Sequence, residues 1–319
     1  MLRLGLCCVF KEHPVKFRRS TAKFLSRLSK EDRKIRLARL CSTNAESLRK
    51  ALVYCHENNI GCFRINSQIL PLKTHPEMGY EINELPGAQK IIDAFKACGA
   101  FSLKHDIRTT FHPDQFIVLS STRPEVIRRS ILDLEYQTQV AEWVNADVIN
   151  IHAGGTYGDK RSTLSRLVET IKTLSDQVRK RLTLENDDRN YSPSDLLPVC
   201  YDMNIPMVYD VHHHRCFPDE LSVEKATEQS LRTWDREPLF HISSPKDGWE
   251  SSNPRKHHDF IDINDLPKDW LSMNVSVEVE AKAKVIAIKK LINDLYLLPE
   301  YDGHHYKKLS LKKSVKPRR

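Results

Sequence analysis

Short apolar and β-branched runs alternate along the chain with longer stretches of helical periodicity. Eight runs have the length of buried strands: "RLGLCCV" (3–9), "CFRINS" (62–67), "RTTFHP" (108–113), "VINIHAGG" (148–155), "RLTLEN" (181–186), "PMVYDVHH" (206–213), "LFHISS" (239–244) and "VSVEVEAK" (275–282). Helical patterns cover 31–58, 86–98, 124–144, 160–179, 193–203, 223–235 and 284–296, with Pro86, Pro124 and Pro193 at helix starts. Strict alternation predicts a parallel sheet, and eight repeats in 319 residues predict one α/β domain, a (β/α)8 TIM barrel.

The competing architecture is a doubly wound open sheet. That fold places a glycine-rich phosphate loop after its first strand, and the sequence has no such loop there. No linker divides the chain, so we expect one barrel domain over residues 1–300. A basic segment follows over 301–319, which we expect to be a disordered, solvated tail.

Residues of metal-ligand type stand where the predicted strands end. They are His112, His152, Glu185, Asp210, His241 and Glu280 on the third to eighth strands, with His75, His257 and His258 in the loops after the second and seventh. In a barrel these strand ends converge on one face. Ionisable groups crowded there would be costly to bury without partners, and cations would neutralise them. The pattern therefore predicts a site for two or three divalent metal ions.

The run "DVHHH" leaves the choice of histidine open. In an extended chain Asp210, His212 and His214 share one face, and His213 points to the other. A bend after Asp210 would break that alternation. Pattern alone therefore does not select the ligand among the three histidines.

The distribution of positive charge along the chain indicates a class of substrate. The net charge is +8 at pH 7, yet residues 11–39 alone carry eleven Lys and Arg against three acids, and residues 307–319 add seven positive charges. The 11–39 segment leaves the barrel on the metal face, where it suits a polyanion, and grouped divalent ions suit hydrolysis of phosphate esters. Just beyond the third strand, Gln115 and Phe116 offer a polar and a stackable side chain to a nucleic acid.

Two further patterns bear on where the protein works. No stretch approaches the roughly 20 apolar residues that a membrane span needs, and the N-terminal apolar run is too short for a secretory signal. The eight cysteines lack the paired close spacing of zinc fingers and suit a reducing compartment. We expect a cytoplasmic protein that acts as a monomer and has no membrane partner.

Seven segments resemble the UV damage endonuclease family in their order and spacing. They are "RLGL", "THP", "FHPDQF", "IHAGG" followed by "YG", "LENDD", "YDVHHH" and "VEAK", spread from about residue 2 to residue 282. The resemblance implies a metal-dependent barrel, similar to endonuclease IV, that acts on damaged double-stranded DNA. It implies a nick immediately 5′ to cyclobutane dimers, 6-4 photoproducts or abasic sites, which leaves a 3′-hydroxyl.

The resemblance also implies roles for individual residues. The metal ligands it implies are His112, His152, Glu185, Asp210, His213, His241, His258 and Glu280. Glu185 is expected to bridge two ions, which are expected to be Mn²⁺, with Zn²⁺ or Co²⁺ as alternatives. His75 matches a catalytic histidine near the scissile phosphate. Gln115 and Phe116 match a pair that probes the lesion where two damaged bases are displaced.

Four positions depart from the family pattern. Leu6 and Phe10 stand where some members have a tyrosine and an asparagine, and Phe116 stands where relatives often have tyrosine. Leu239 stands where at least one relative has a lysine near the metals. These departures bear on substrate contacts, lesion range and metal affinity, whereas the ligand set is intact.

Two other functions compete with the endonuclease. A sugar isomerase of the same barrel type uses two divalent ions to polarise a small polyol, but such sites are typically richer in carboxylate and need no basic segment. A nucleic-acid-binding protein could instead hold structural metals. Removal of Glu185 separates these hypotheses, because loss of a structural site predicts unfolding, whereas loss of a catalytic site predicts a folded, DNA-binding and inactive protein.

Overall fold

Eight parallel strands close into a barrel in the computed structural model, which describes residues 2–298. The strands are β1 (Leu2–Cys7), β2 (Cys62–Ile65), β3 (Arg108–Phe111), β4 (Val148–His152), β5 (Leu182–Glu185), β6 (Met207–Asp210), β7 (Leu239–Ile242) and β8 (Val275–Val279). Each strand pairs with the next, and β8 pairs with β1, with Leu2 opposite Val275. The predicted fold class and the order of all eight strands are confirmed. The predicted tail, 301–319, lies outside the described residues.

Ten α-helices accompany the strands over the described range. They are α1 (Ala22–Leu25), α2 (Lys30–Glu57), α3 (Ala88–Lys104), α4 (Pro124–Val144), α5 (Lys160–Thr173), α6 (Asp176–Arg179), α7 (Pro193–Met203), α8 (Val211–Cys216), α9 (Val223–Leu231) and α10 (Val285–Tyr296). Short 3₁₀ turns cover Ile82–Glu84, Ile263–Asp265 and Lys268–Ser272. None of the helices within residues 2–298 is long and apolar enough to cross a membrane.

Capping residues explain where several helices begin. Pro124 and Pro193 each open a helix, as predicted, because the first turn does not use the missing N–H. Pro86 instead lies before its helix, since Gly87, at φ 73°, precedes the first helical residue of α3. The predicted helix 160–179 is two helices, because Leu174 is extended (ψ 151°) and Ser175 caps a new turn.

The strand interiors change character along the barrel axis. Near the amino ends lies an apolar cluster of Cys62, Val148, Val208 and Leu239. Two residues further along β7 comes His241, which is fully buried beside the acids Glu185 and Glu278. Polar groups therefore crowd the carboxyl ends of the strands, which is the face where barrel enzymes carry their sites.

Three of the positions that depart from the family pattern lie in the core. Leu6 and Leu239 are fully buried in the barrel, and Phe10 is 8% exposed. The Phe10 ring packs edge-on against Tyr54 at a centroid distance of 5.2 Å. In this chain Leu6 and Phe10 are packing residues, and Leu239 belongs to the apolar cluster rather than to the polar end of the barrel.

Candidate metal centre and substrate groove

Glu185, the last residue of β5, is the centre of a cluster of imidazoles. Its side chain is 1% exposed. Oε2 lies 2.9 Å from His112 Nε2 and 3.8 Å from His152 Nε2, while Oε1 lies 3.0 Å from His241 Nδ1 and 3.4 Å from His213 Nδ1. The predicted site residues at the ends of β3, β4 and β7 therefore converge on Glu185 of β5.

Asp210 ends β6 and turns the chain into α8. One of its oxygens, Oδ1, accepts a hydrogen bond from the backbone N–H of His213 at 2.8 Å, so Asp210 is the N-cap of the short helix. This is the bend that breaks strand alternation in the histidine run. It places His213 Nδ1 3.6 Å from Asp210 Oδ2 and beside Glu185.

The other two histidines of the run are held elsewhere. The His212 ring packs against Trp249, and its Nε2 lies 3.6 Å from Cys216 Sγ. His214 joins the hydroxyl of Tyr209 (2.7 Å) to Asp219 Oδ1 (2.9 Å). Over the described residues, neither ring belongs to a group of side chains whose ligand atoms lie within 4.8 Å of one another.

Glu280 closes the cluster at the end of β8. Its Oε1 lies 3.7 Å from His241 Nδ1 and accepts a hydrogen bond from Arg64 Nη1 at 2.6 Å. Its Oε2 lies 3.8 Å from His257 Nδ1, and the same ring nitrogen is 3.0 Å from the Glu280 carbonyl oxygen. Arg64 is a neighbour of the site that the sequence patterns did not indicate. His257 belongs to the strand-end pattern but not to the ligand set that the family resemblance implies.

His258 does not join the cluster. Its Nδ1 accepts a hydrogen bond from the backbone N–H of Phe260 at 3.0 Å, and the ring lines a separate cavity with Trp249 and Lys290. Adjacent residues of an irregular loop point in different directions. The loop after β7 therefore presents His257 to Glu280, whereas His258, the ligand that the resemblance implies, faces the other cavity.

Burial and charge act in opposite directions on these groups. Burial alone would raise the pKa of Glu185, but the neighbouring His241 and His152 outweigh it and hold that pKa well below its usual range. Burial would lower the pKa of His241, yet Glu185 raises it to about 10. Burial would also lower the pKa of His213, but Asp210 and Glu185 face it and raise that pKa well above its usual value. A metal that bound the His213 and His241 rings would therefore displace protons.

The cluster has the donor set that a divalent transition metal requires. Three groups each keep their ligand atoms within 4.8 Å of one another: His112, His152 and Glu185; His112, His241 and Glu280; and Glu185, Asp210 and His213. His152 Nδ1 and Asp210 Oδ2 are buried and have no hydrogen-bond partner. Orphaned polar atoms of this kind are costly unless a ligand satisfies them. Imidazole and carboxylate together suit Mn²⁺ or Zn²⁺.

A groove of about 1160 Å³ adjoins the cluster. Two of the clustered histidines, His152 and His213, form part of its wall. Further along, the groove is lined by three residues that the sequence predicted for substrate contact, His75, Gln115 and Phe116. It also contains Arg123, the residue before α4, and Arg129 of α4, which no sequence motif had indicated.

The loop after β3 presents Phe116 to solvent. Asp114 Oδ1 accepts a hydrogen bond from the Phe116 N–H at 3.2 Å, and the next residue, Ile117, is buried and anchors the turn. The Phe116 ring is left 73% exposed. A large exposed aromatic side chain on a fixed turn is suited to stacking on a ligand.

His75 has a defined orientation in the loop after β2. Its Nδ1 accepts hydrogen bonds from the backbone N–H groups of Glu77 and Met78, each at 3.2 Å. The neutral ring therefore carries its proton on Nε2. His75 can act at the groove as a hydrogen-bond donor.

Known proteins resemble this chain over most of its length. The chain is similar to the UV DNA damage endonuclease of Bacillus velezensis, with 34% identity over 283 residues, which cover 85% of this chain and 86% of that protein. The crystal structure of SacUVDE superposes with a TM-score of 0.83 at 27% identity, covering 93% of this chain and 98% of that one. Endonuclease IV from Thermus thermophilus shares the fold, with a TM-score of 0.59 at 12% identity over 92% of this chain and 99% of that one.

A family model gives the same assignment over most of the chain. The model described as UV-endonuclease UvdE matches residues 2–308, a range that contains all eight strands and every residue of the cluster. The chain belongs to the UV-endonuclease UvdE family.

Proposed function

We propose that this protein is a metal-dependent endonuclease that nicks DNA immediately 5′ to UV photoproducts and leaves a 3′-hydroxyl. Cyclobutane dimers and 6-4 photoproducts are the proposed lesions, and abasic sites are a further proposed substrate. The observation that carries the proposal is the buried cluster around Glu185, which opens on a groove lined by His75, Gln115 and Phe116. The relatives named as UV DNA damage endonucleases support it.

The proposed cofactor is two or three Mn²⁺ ions. Their proposed ligands are His112, His152, Glu185, Asp210, His213, His241, His257 and Glu280. This set takes His257 in place of His258, because His257 is the histidine of that loop that contacts Glu280. When bound, divalent ions neutralise charge on a phosphodiester and activate a water molecule for attack.

The remaining residues are proposed to bind and orient the DNA. The N–H on His75 Nε2 donates to an oxygen of the scissile phosphate, where negative charge grows during hydrolysis. Gln115 and Phe116 enter the base stack and fill the space that the damaged bases leave. Arg123 and Arg129 lie in the same groove and suit phosphates of the bound strand.

The basic segment 11–39 is proposed to hold the DNA backbone beside the site. Backbone atoms of Arg18 and Lys16 bond to Asn44 (2.6 Å) and Ser47 (2.8 Å) of α2, which fixes the segment on the barrel. Of its eleven Lys and Arg, only Lys34 has an acid of the described chain within ion-pair distance, Glu84 at 3.8 Å. The other cations are available to phosphates.

Neutralising Arg18 and Arg19 tests this basic segment. The double variant Arg18→Gln/Arg19→Gln is expected to bind all DNA duplexes more weakly, with the slope of log affinity against log salt reduced by about 0.9 for each phosphate that the variant no longer neutralises. The measurement is fluorescence anisotropy at several salt concentrations, with a chelator to prevent cleavage. Lys104→Gln/Lys180→Gln removes the same charge near the amino ends of the strands and should leave the slope unchanged. Equal slopes for both variants would refute the role of the segment.

Replacing Phe116 tests the lesion probe. Phe116→Ala is expected to slow nicking of irradiated DNA by roughly 5- to 150-fold, which corresponds to the 1–3 kcal/mol that aromatic stacking on a base contributes. Phe116→Tyr keeps the ring and should retain the rate. Leu103→Ala removes another exposed apolar side chain, on α3, and should have no effect. The rates are compared on irradiated and untreated plasmid, and an unchanged rate for Phe116→Ala would remove Phe116 from the proposal.

The decisive experiment is nicking of supercoiled plasmid, irradiated or untreated, with Mn²⁺ or with a chelator. We expect nicking of irradiated plasmid alone, abolished by the chelator. Sequencing the ends on a duplex with one defined dimer should map the cut to its 5′ side and detect a 3′-hydroxyl. Equal nicking of both plasmids would contradict damage recognition, and absence of nicking with every metal would favour the sugar isomerase.

A further inference from the structure

A buried ion pair lies directly beneath the proposed metal centre. Glu278 of β8 is 1% exposed and Arg64 of β2 is 7% exposed. The Arg64 guanidinium donates to Glu278, and the hydroxyl of Thr110 donates to the other carboxylate oxygen. Arg64 also donates to Glu280 Oε1 at 2.6 Å. Arg64 therefore links Glu278 to Glu280, which is one of the proposed metal ligands.

Space for the Glu278 side chain comes from its neighbour on β1. Gly5 pairs with Glu278, and a Cβ at Gly5 would lie 3.0 Å from Glu278 Cγ. A contact that close is tighter than ordinary van der Waals packing. The glycine at position 5 therefore leaves the space that the Glu278 side chain occupies. The proposed metal ligands and DNA contacts do not include Glu278.

Glu278 also contacts the inner edge of a clustered imidazole. His241 Nδ1 faces the other acids, at 3.0 Å from Glu185 Oε1 and 3.7 Å from Glu280 Oε1. His241 Nε2 lies on the opposite side of the ring, 3.1 Å from Glu278 Oε2. Arg64 Nη2 is also near Nε2, at 2.9 Å, and a guanidinium can only donate, so Arg64 donates to Nε2 when that nitrogen carries no proton. When Nε2 does carry the proton, Glu278 Oε2 is the acceptor beside it.

These contacts bear on which nitrogen of the His241 ring would bind a metal. A neutral imidazole that coordinates through Nδ1 carries its proton on Nε2. That proton needs an acceptor, and Glu278 Oε2 is within reach. A carboxylate behind a ligating histidine fixes the tautomer and raises the basicity of the coordinating nitrogen.

We propose that Glu278 is a positioning residue that accepts the Nε2 proton of His241 and directs Nδ1 to the metal ions. Arg64 neutralises Glu278, so the carboxylate stays in the barrel without an unpaired charge. The inference rests on the proposed metal centre and goes beyond it, since Glu278 is not itself a proposed ligand.

Two double variants separate positioning from charge balance. Arg64→Met/Glu278→Met removes the ion pair and the acceptor, whereas Arg64→Met/Glu278→Gln removes the same ion pair but keeps an acceptor oxygen at position 278. Loss of both partners of a buried pair is better tolerated than loss of one. Circular dichroism checks the fold, and electron paramagnetic resonance of free Mn²⁺ measures the affinity of each metal-free protein for added Mn²⁺.

The Met/Met variant is expected to bind Mn²⁺ about 10- to 100-fold more weakly than the Met/Gln variant, the usual effect of losing such a carboxylate partner. Equal affinities of the two folded variants would refute the positioning role alone. Absence of Mn²⁺ binding by the wild-type protein would instead refute the proposed metal centre, and the inference with it.

A measurement on the wild-type protein does not depend on variants that fold. Histidine labelled with ¹⁵N in the Zn²⁺-loaded protein reports which ring nitrogen is protonated, and the His241 signals are those missing from His241→Asn. We expect a protonated Nε2 and a metal-shifted Nδ1. The reverse pattern, with the proton on Nδ1, would overturn the proposal.

Discussion

Glu185→Gln is expected to abolish nicking of irradiated DNA and to leave a folded protein that still binds it. The two oxygens of Glu185 contact four imidazoles, so this carboxylate is the shared ligand of the proposed metal centre. A neutral amide would be a weaker ligand for the proposed metal ions and would not balance their charge. We expect the rate to fall by about a thousandfold, at the upper end of what loss of one preorganised electrostatic group causes.

The fold should survive because glutamine has almost the same volume as glutamate. The side-chain amide of Asn150, which donates to Glu185 Oε2 at 2.5 Å, can donate to the remaining oxygen of Gln. The measurements are the nicking rate, DNA affinity by anisotropy and the circular dichroism melting curve. Glu237→Gln is the matched control, since Glu237 bonds Arg3 and Ser276 near the amino ends of the strands.

Each result for Glu185→Gln separates the hypotheses. Wild-type nicking by the variant would refute the catalytic centre. Unfolding of the variant, together with unfolding of chelator-treated wild-type protein, would favour structural metals. An inactive variant that melts like wild type and binds DNA would support catalysis by the cluster.

Much of the fold was predictable because each strand is a short buried run, and residues of ligand type lie at or near the carboxyl ends of six of the eight. Parallel strands covered on both faces are apolar along their length, so the eight runs and their order were readable directly. The residues at the ends of β3 to β8 stood out because ionisable side chains rarely follow buried strands without a reason. His112, His152, Glu185, Asp210 and Glu280 were all predicted as site residues in this way, and the structure places them close together.

Loop residues could not be assigned from pattern, because no period fixes their direction. The bend at Asp210 decides which histidine of the run reaches Glu185, and the bend depends on a cap that forms only when α8 begins. His257 and His258 differ only in backbone direction within an irregular loop. Neither composition nor spacing distinguishes them.

The ion pair of Arg64 and Glu278 beneath the proposed metal centre could also be inferred from the sequence, but from positions inside the strands rather than at their ends. Glu278 lies on β8 and Glu280 follows the end of that strand, two residues further along, where an extended chain places both side chains on the same face. A second acid on the inward face, two residues before an acid of metal-ligand type, predicts a buried cation as its partner. Arg64, two residues after the start of β2, is the inward cation that supplies it.

Substitution of His257 and His258 is the second test with a large expected effect. His257→Gln is expected to weaken Mn²⁺ binding and to lower the nicking rate at limiting Mn²⁺ by at least about 10- to 100-fold, the range seen when even an indirect partner of a metal is removed. The reason is its position beside Glu280, where its Nδ1 is bonded to the Glu280 carbonyl oxygen at 3.0 Å. With Nδ1 used in that bond, Nε2 is the nitrogen available to a metal.

His258→Gln is the matched control, because it is the same substitution one residue away. His258 bonds the backbone of Phe260 and lies in the cavity with Trp249, so its loss should lower the melting temperature and leave the affinity for Mn²⁺ unchanged. The two affinities are measured on metal-free protein, and the nicking rates over a range of Mn²⁺ concentrations. Excess Mn²⁺ should restore part of the His257→Gln rate, since a weakened site fills by mass action. If His258→Gln loses Mn²⁺ and His257→Gln does not, then the loop after β7 must turn over when metal binds, and the ligand implied by family resemblance would be the correct one.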